Sequence, residues 1–231
     1  MLQACLNGSR TAQEHPALPL SPERLAEDAA DVAALGVTSV HLHPRDVIGV
    51  PTLVGPEVAT TIATVRAAVP GIEIGVSTDV DGPRAAVIGS WAPLAAGRPD
   101  IASVRVGQPG WQEVVQALHQ VGVAVELVVD SVAAAQLLQA ADVDHVARLT
   151  ATATRANVAE LLGRLEPLHR PILLHGRDAE AWPVLDHAGR LEHSTRMGLA
   201  DTLTLPDGRV ARNNVELVAM ARRSLRSKAP Q

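Results

Sequence analysis

The sequence predicts an α/β fold, a single-domain (β/α)8 barrel. Three features support it: a length of 231 residues, a regular alternation of short β-branched runs with longer Ala- and Leu-rich runs, and polar residues gathered at one end of those β-branched runs. Such barrels need about 250 residues. Eight units in this chain average roughly 29 residues, room for one strand, one helix and two tight loops. An open doubly wound sheet is the alternative that the same alternation allows.

The strands are expected at 2–6, 39–42, 72–76, 103–106, 124–128, 145–149, 172–174 and 194–197. The first helix, 22–35, carries Leu25, Ala29, Val32 and Ala33 at helical spacing. Ser21 caps its start, Pro22 fits its first turn, and Gly36 ends it. Further helices are expected at 57–68, 111–121, 132–141, 155–165 and 214–225. Gly122 stops the third of these six helices and Ser131 starts the fourth. No linker or composition shift divides the chain, so residues 1–221 read as one barrel and 222–231 as a frayed polar tail.

Composition narrows the class. Phe and Tyr are absent and Trp occurs three times, so the core must come from Ala, Val, Leu and Ile, which suits buried parallel strands. Without Tyr, no phenol is available as a general acid. A net charge of -5 and the lack of a basic cluster before the last residues argue against nucleic-acid binding. Cys5, the only cysteine, cannot form an intramolecular disulfide and sits among apolar residues, which reads as core rather than nucleophile. No signal-peptide pattern or membrane-length apolar run appears, and a cytoplasmic location away from membranes is expected.

In a (β/α)8 barrel the chemistry lies at the C-terminal strand ends. Here those ends present Asn7, His41-Leu42-His43, Ser77-Thr78-Asp79, Ser103 and Arg105, Glu126 with Asp130, His175-Gly176-Arg177, and Arg196 with Asp201. His41 and His43, at i and i+2 on one strand, share a face, and two imidazoles there can chelate one divalent metal or simply bond to polar neighbours. Ser77 either holds a substrate carboxylate or caps the segment after it. Arg196 pairs either with a substrate carboxylate or with Asp201. Glu126, in an otherwise apolar strand, needs a partner if it faces inward. His175 reads as a ligand, a base or a satisfied rim residue. No Gly-rich phosphate loop and no serine nucleophile elbow stands out.

Taken together, Asn7-Gly8-Ser9, Pro19-Leu20-Ser21-Pro22-Glu23 and His41-Leu42-His43-Pro44-Arg45-Asp46 resemble the opening of the β-keto acid cleavage enzymes. Their founding activity is cleavage of 3-keto-5-aminohexanoate. Val76-Ser77-Thr78, Ala102-Ser103, Val125-Glu126, Gly176-Arg177 and above all Arg196-Met197-Gly198-Leu199-Ala200-Asp201-Thr202 continue the resemblance along nearly the whole chain. It implies a zinc-dependent transferase that moves the acyl part of a β-keto acid onto coenzyme A by retro-Claisen cleavage, consuming acetyl-CoA and releasing acetoacetate. It further implies His41 and His43 as zinc ligands, Asp201 as base oriented by Arg196 and Glu126, and Ser77, Ser103, Arg105 and Asn7 as substrate contacts. A homo-oligomer, dimer or tetramer, is implied as well.

Three positions depart from the family pattern. Ala200 stands where the third zinc ligand, a Glu, is expected, with His175 or Asp201 as substitutes. Arg10 replaces a Glu and Arg105 an Asn, which would favour a more acidic substrate. The competing functions are a metal-binding barrel aldolase or hydrolase, and a weakened or inactive relative.

Overall fold

The computed structural model describes residues 1–141 and 143–226. Eight parallel strands form one sheet: β1 (Leu2–Cys5), β2 (Ser39–Leu42), β3 (Glu73–Ser77), β4 (Ile101–Arg105), β5 (Ala124–Val129), β6 (Val146–Thr152), β7 (Ile172–His175) and β8 (Thr195–Met197). They alternate with α1 (Pro22–Ala34), α2 (Gly55–Ala68), α3 (Arg84–Gly89), α4 (Trp111–Gln120), α5 (Val132–Ala140), α6 (Val158–Leu165), α7 (Ala181–Arg190) and α8 (Asn214–Arg226). The strands pair as β7-β6-β5-β4-β3-β2-β1-β8. A parallel bridge between Leu173 and Ser194, with Leu174 N–H donating to the Ser194 carbonyl at 2.8 Å, joins the two ends and completes the barrel.

Two helices were not expected from periodicity. The six residues of α3 are too few to show a repeat. In α7 Pro183 obscures the signal, although a proline in the first helical turn costs no intrahelical bond. The α6 helix starts at Val158 instead of 155, because Asn157 Oδ1 accepts from Thr154 N–H and holds a turn before the helix begins. At the C-terminus α8 runs through Arg226, one residue past the expected helix end, and its own Ala221 is buried. Residues 227–231 of the expected tail lie outside the described residues.

The hydrophobic core is the layer between sheet and helices. Val40 and Leu42, Ile74 and Val76, Ala102 and Val104, Val125, Leu127 and Val129 point outward into it and are buried. The interleaved residues face the barrel axis, and that interior is polar. Gln3 Nε2 donates to Ser39 Oγ (2.9 Å), Ser39 Oγ donates to Glu73 Oε1 (2.7 Å), and Arg148 Nη1 donates to the same oxygen (2.9 Å). Arg148 Nε also donates to Glu126 Oε2. Because β3 and β6 are not neighbours in the sheet, the Arg148–Glu73 bond crosses the barrel. This ladder is the floor on which the site stands.

Candidate active site

At the C-terminal strand ends lies a cavity of about 60 Å³. Its walls come from His41 and His43 (β2), Ser77 and Asp79 (β3), Ser103 and Arg105 (β4), Arg177 after β7, and Arg196 and Ala200 (β8 and after). Backbone alternation explains the grouping: each strand contributes its i and i+2 residues to the same mouth. Gly75, beside His41 in the sheet, leaves room for that ring; a Cβ there would lie 3.2 Å from His41 Nδ1. Gly198 lets the end of β8 close against β1, where a Cβ would stand 2.0 Å from the Cys5 carbonyl oxygen.

The two imidazoles meet edge to face, with centroids 5.7 Å apart. Burial lowers the pKa of His41 to about 3, assisted by the nearby Arg196. Burial, and then His41 and Arg45, hold His43 well below the ordinary histidine value. Both rings are therefore neutral at physiological pH. Among the described residues neither ring has a hydrogen-bond partner. Asn7 fixes the main chain beneath them: its Nδ2 donates to the His43 carbonyl and its Oδ1 accepts from the His43 N–H, both at 2.9 Å. Asn7, expected as a substrate contact, is buried and holds the His43 main chain with its amide.

Neutral imidazoles with open nitrogens on one cavity wall suit a borderline divalent ion such as zinc. The pair fits as half of a catalytic zinc site. Among the described residues no cluster of three His, Cys, Asp or Glu side chains completes it. Ala200 lines the wall with a methyl group. Asp79 is taken up by Arg105 and Gln108. His175, the candidate third ligand, faces elsewhere: Thr152 Oγ1 lies 2.9 Å from its Nε2, and its Nδ1 lies 3.2 Å from the Gly176 carbonyl and 3.4 Å from Asp201 Oδ1. Burial holds its pKa at about 4. The neutral ring then donates from Nδ1 and accepts the threonine hydroxyl at Nε2.

Behind the wall, Asp201 is fully buried. Arg196 reaches its Oδ1 through Nε and Nη2, each at 3.0 Å, and His175 approaches the same oxygen. Burial alone would raise the carboxyl pKa, but Arg196 and His175 outweigh it and keep Asp201 ionised. Its Oδ2 is buried with no hydrogen-bond partner among the described residues. Arg196, in turn, is held charged by Asp201 despite its own burial. Glu126 does not reach this pair directly, since its carboxylate bonds Arg148 one layer below, but its charge still favours the Arg196 cation. The Cys5 thiol faces the same interior, 3.8 Å from Gln3 Oε1, and burial raises its pKa, so it stays protonated.

The two extra cations at the mouth are neutralised. Arg105 is clamped by Asp79 and Asp130 at 2.5 Å each. Arg10 bonds Asp178 (2.5 Å), Glu14 (3.1 Å) and the Leu199 carbonyl (2.8 Å). Arg177, to which the residue-by-residue reading gave no role, lines the cavity, and its guanidinium has no hydrogen-bond or ion-pair partner among the described residues. Its place directly after the β7 tip was the available signal.

Fold and site together define a (β/α)8-barrel protein with a polar, partly cationic active-site mouth. The chain belongs to the β-keto acid cleavage enzyme family, whose sequence model matches residues 1–165. No curated protein matches it. Among solved structures it shares the fold of ObcA at 18% identity and a TM-score of 0.70, over 94% of this chain and 63% of that one. ObcA with oxaloacetate gives the same identity and TM-score over 94% and 65%. A ternary complex of ObcA with a C4-CoA adduct and oxalate matches at 18% and 0.70 over 92% and 64%. The chain therefore spans just under two thirds of ObcA's length. Among the described residues no helix is long and apolar enough to cross a membrane.

Proposed function

We propose that this chain exchanges the acyl group of a β-keto acid: R–CO–CH2–COO⁻ and acetyl-CoA become acetoacetate and R–CO–CoA. Family membership and the Arg196–Asp201 pair, with Arg196 on the cavity wall and Asp201 buried behind it, support this reading. The observation that carries it is the state of Asp201, ionised, with Arg196 and His175 gathered on Oδ1 and no hydrogen-bond partner on Oδ2 among the described residues.

The C2 hydrogens of a β-keto acid are acidified by the carbonyl beside them. Asp201 Oδ2 takes one of these protons, and the carbanion attacks the thioester carbonyl of acetyl-CoA, whose C–S bond breaks to release coenzyme A thiolate. Coenzyme A thiolate then attacks the original keto carbon, the C2–acyl bond breaks, and the proton returns from Asp201 to C2 of acetoacetate. Arg196 keeps Asp201 oriented and steadies negative charge as it develops. Ser77 and Ser103 bind substrate oxygens from β3 and β4, beside Arg105, and Arg177 offers an open cation to the substrate carboxylate. Glu126 acts from below as a positioning residue. Zinc held by His41 and His43 would supply Lewis-acid polarisation of the keto oxygen.

A Schiff-base aldolase would need an amine nucleophile. The only lysine of the chain is Lys228, close to the C-terminus, far in sequence from every strand end. The test is acetoacetate formation from a panel of β-keto acids with acetyl-CoA, in the wild type and in Asp201→Asn. Turnover that falls about 10²–10⁴-fold in the variant is expected. Turnover without coenzyme A would favour the metal aldolase or hydrolase reading. No acetoacetate from any acid, with or without added zinc, would overturn the proposal.

A further inference from the structure

A second, larger concavity adjoins the mouth. This groove of about 860 Å³ runs down the outside of the barrel between α6, α7 and the connection from β8 to α8. A volume of this order suits a drug- or nucleotide-sized ligand. Its walls include Val158, Trp182, Pro183 and Pro206. Trp182 is half-buried, whereas Trp91 and Trp111 are 0% and 9% exposed, so this chain places its one accessible aromatic ring here. The indole N–H donates to the Thr204 carbonyl at 2.8 Å, which fixes the ring against the connection.

Arg190 stands eight residues further along α7, about 12 Å down the same helix face. It is exposed and has no hydrogen-bond or ion-pair partner among the described residues. The acids in the groove are engaged: Asp178 with Arg10, and Asp186 with the Ser224 hydroxyl at 2.7 Å. Arg155, at the upper end, pairs with Glu180. What remains open is a fixed aromatic plate and an unpaired guanidinium, the groups that recognise a base and a phosphate. The strip from Arg177 to Ala179 separates groove and cavity: Arg177 lines the cavity, while Asp178 and Ala179 line the groove.

We propose that this groove holds the adenosine-phosphate end of the coenzyme A thioester, base on Trp182 and phosphate on Arg190, with the acyl end passing over Asp178 into the mouth. The assignment rests on the proposed reaction for the identity of the nucleotide, and its test separates the two. Adenosine 3′,5′-bisphosphate is titrated into the full chain while tryptophan fluorescence is followed, with Arg190→Glu and Trp182→Ala as variants. Direct calorimetry of the same titration covers the variant that lacks Trp182. Saturable quenching is expected in the wild type, with binding at least tenfold weaker in both variants. In turnover, Arg190→Glu should raise KM for acetyl-CoA about tenfold, far more than KM for the β-keto acid. Absence of bisphosphate binding, wild-type affinity in both variants, or an unchanged KM for acetyl-CoA overturns the groove and leaves the reaction standing. Binding weakened by both variants in a protein that forms no acetoacetate upholds the groove and removes the reaction.

Discussion

The Glu126–Arg148 pair offers a sharp test of how the barrel interior supports the site. Glu126 is 1% exposed and Arg148 8%, and their contact lies beneath the cavity. Each also has one buried polar atom without a hydrogen-bond partner among the described residues, Glu126 Oε1 and Arg148 Nη2, so the pair is incompletely satisfied. Removing one member of a buried pair strands the other charge and costs about 3–5 kcal/mol. Arg148→Met should therefore lower stability by that amount, a large part of the roughly 5–15 kcal/mol typical of a folded domain. For a domain of this size each kcal/mol shifts Tm by about 2–4 °C, so a fall of roughly 6–20 °C is expected. Glu126→Met/Arg148→Met removes both charges. Glu73, then without Arg148, keeps its bond from Ser39 and has a side chain 36% exposed, so it can be hydrated. The double variant should return to within about 1 kcal/mol of wild type.

Urea melts monitored by circular dichroism give the stabilities, and acetoacetate formation gives turnover. Glu126 does not line the cavity, so the stable double variant should keep turnover within about tenfold of wild type, the remaining loss reflecting the field of Glu126 on Arg196. Two outcomes would refute this reasoning. A single Arg148→Met that costs under about 1 kcal/mol would mean the pair is not desolvated as its burial implies. A double variant of wild-type stability with turnover several hundredfold down would make Glu126 a participant in the reaction and not a positioning residue.

Other consequences follow from the mouth. Ala200→Glu places a carboxylate beside His41 and His43 and should tighten zinc binding at least tenfold in a chelator competition, an effect lost when both histidines are changed to alanine. Arg177→Gln should raise KM for the β-keto acid about tenfold or more, whereas Arg105→Gln should change it less, because Arg105 is already paired; equal effects would contradict this. His175 gives metal-free protein a defined acid sensitivity. Its folded pKa of about 4 lies below the unfolded value near 6.5, so the unfolded chain binds more protons between them. Stability is then flat above about pH 7 and falls as pH drops toward 4, by about 2 kcal/mol at pH 5. His175→Asn should remove that share of the slope, seen in melts across pH 5–7. Asp201, held below its ordinary value, keeps its full contribution above about pH 4, where the unfolded carboxyl begins to protonate, and loses it as pH falls further toward its folded value.

The sequence exposed what is local and repetitive. Strand positions were readable because each inward polar residue alternates with an outward Val, Ile or Leu, and the mouth was readable because His41, Ser77, Ser103 and Arg196 sit at equivalent strand ends. Long-range partners were not readable. Nothing near Glu126 in the chain points to Arg148, 22 residues away and on the next strand. Nor does Asn7 announce that both ends of its amide will be used by His43, 36 residues on. The six residues of α3 are too few for a periodic run, whereas α7 does carry Ala181, Val184, Leu185 and Ala188 at helical spacing but has Pro183 among them, and α7 carries walls of the outer groove.

The same limit explains the expectation about substrate charge. Arg10 and Arg105 replace residues that carry no positive charge, and counted as charges they predict a more cationic mouth. In the fold each meets two acids, Arg10 with Glu14 and Asp178, Arg105 with Asp79 and Asp130. The substitutions therefore tie loops together: Arg10 fastens the β1 loop to the strip between cavity and groove, and Arg105 links the ends of β3, β4 and β5. Among the described residues, the cavity-lining cation left open is Arg177. Under the proposed reaction, charge selection at this mouth falls to that open guanidinium and not to the number of arginines around it. Arg177, and not the paired Arg10 or Arg105, is then the guanidinium free to meet the one carboxylate that every β-keto acid carries.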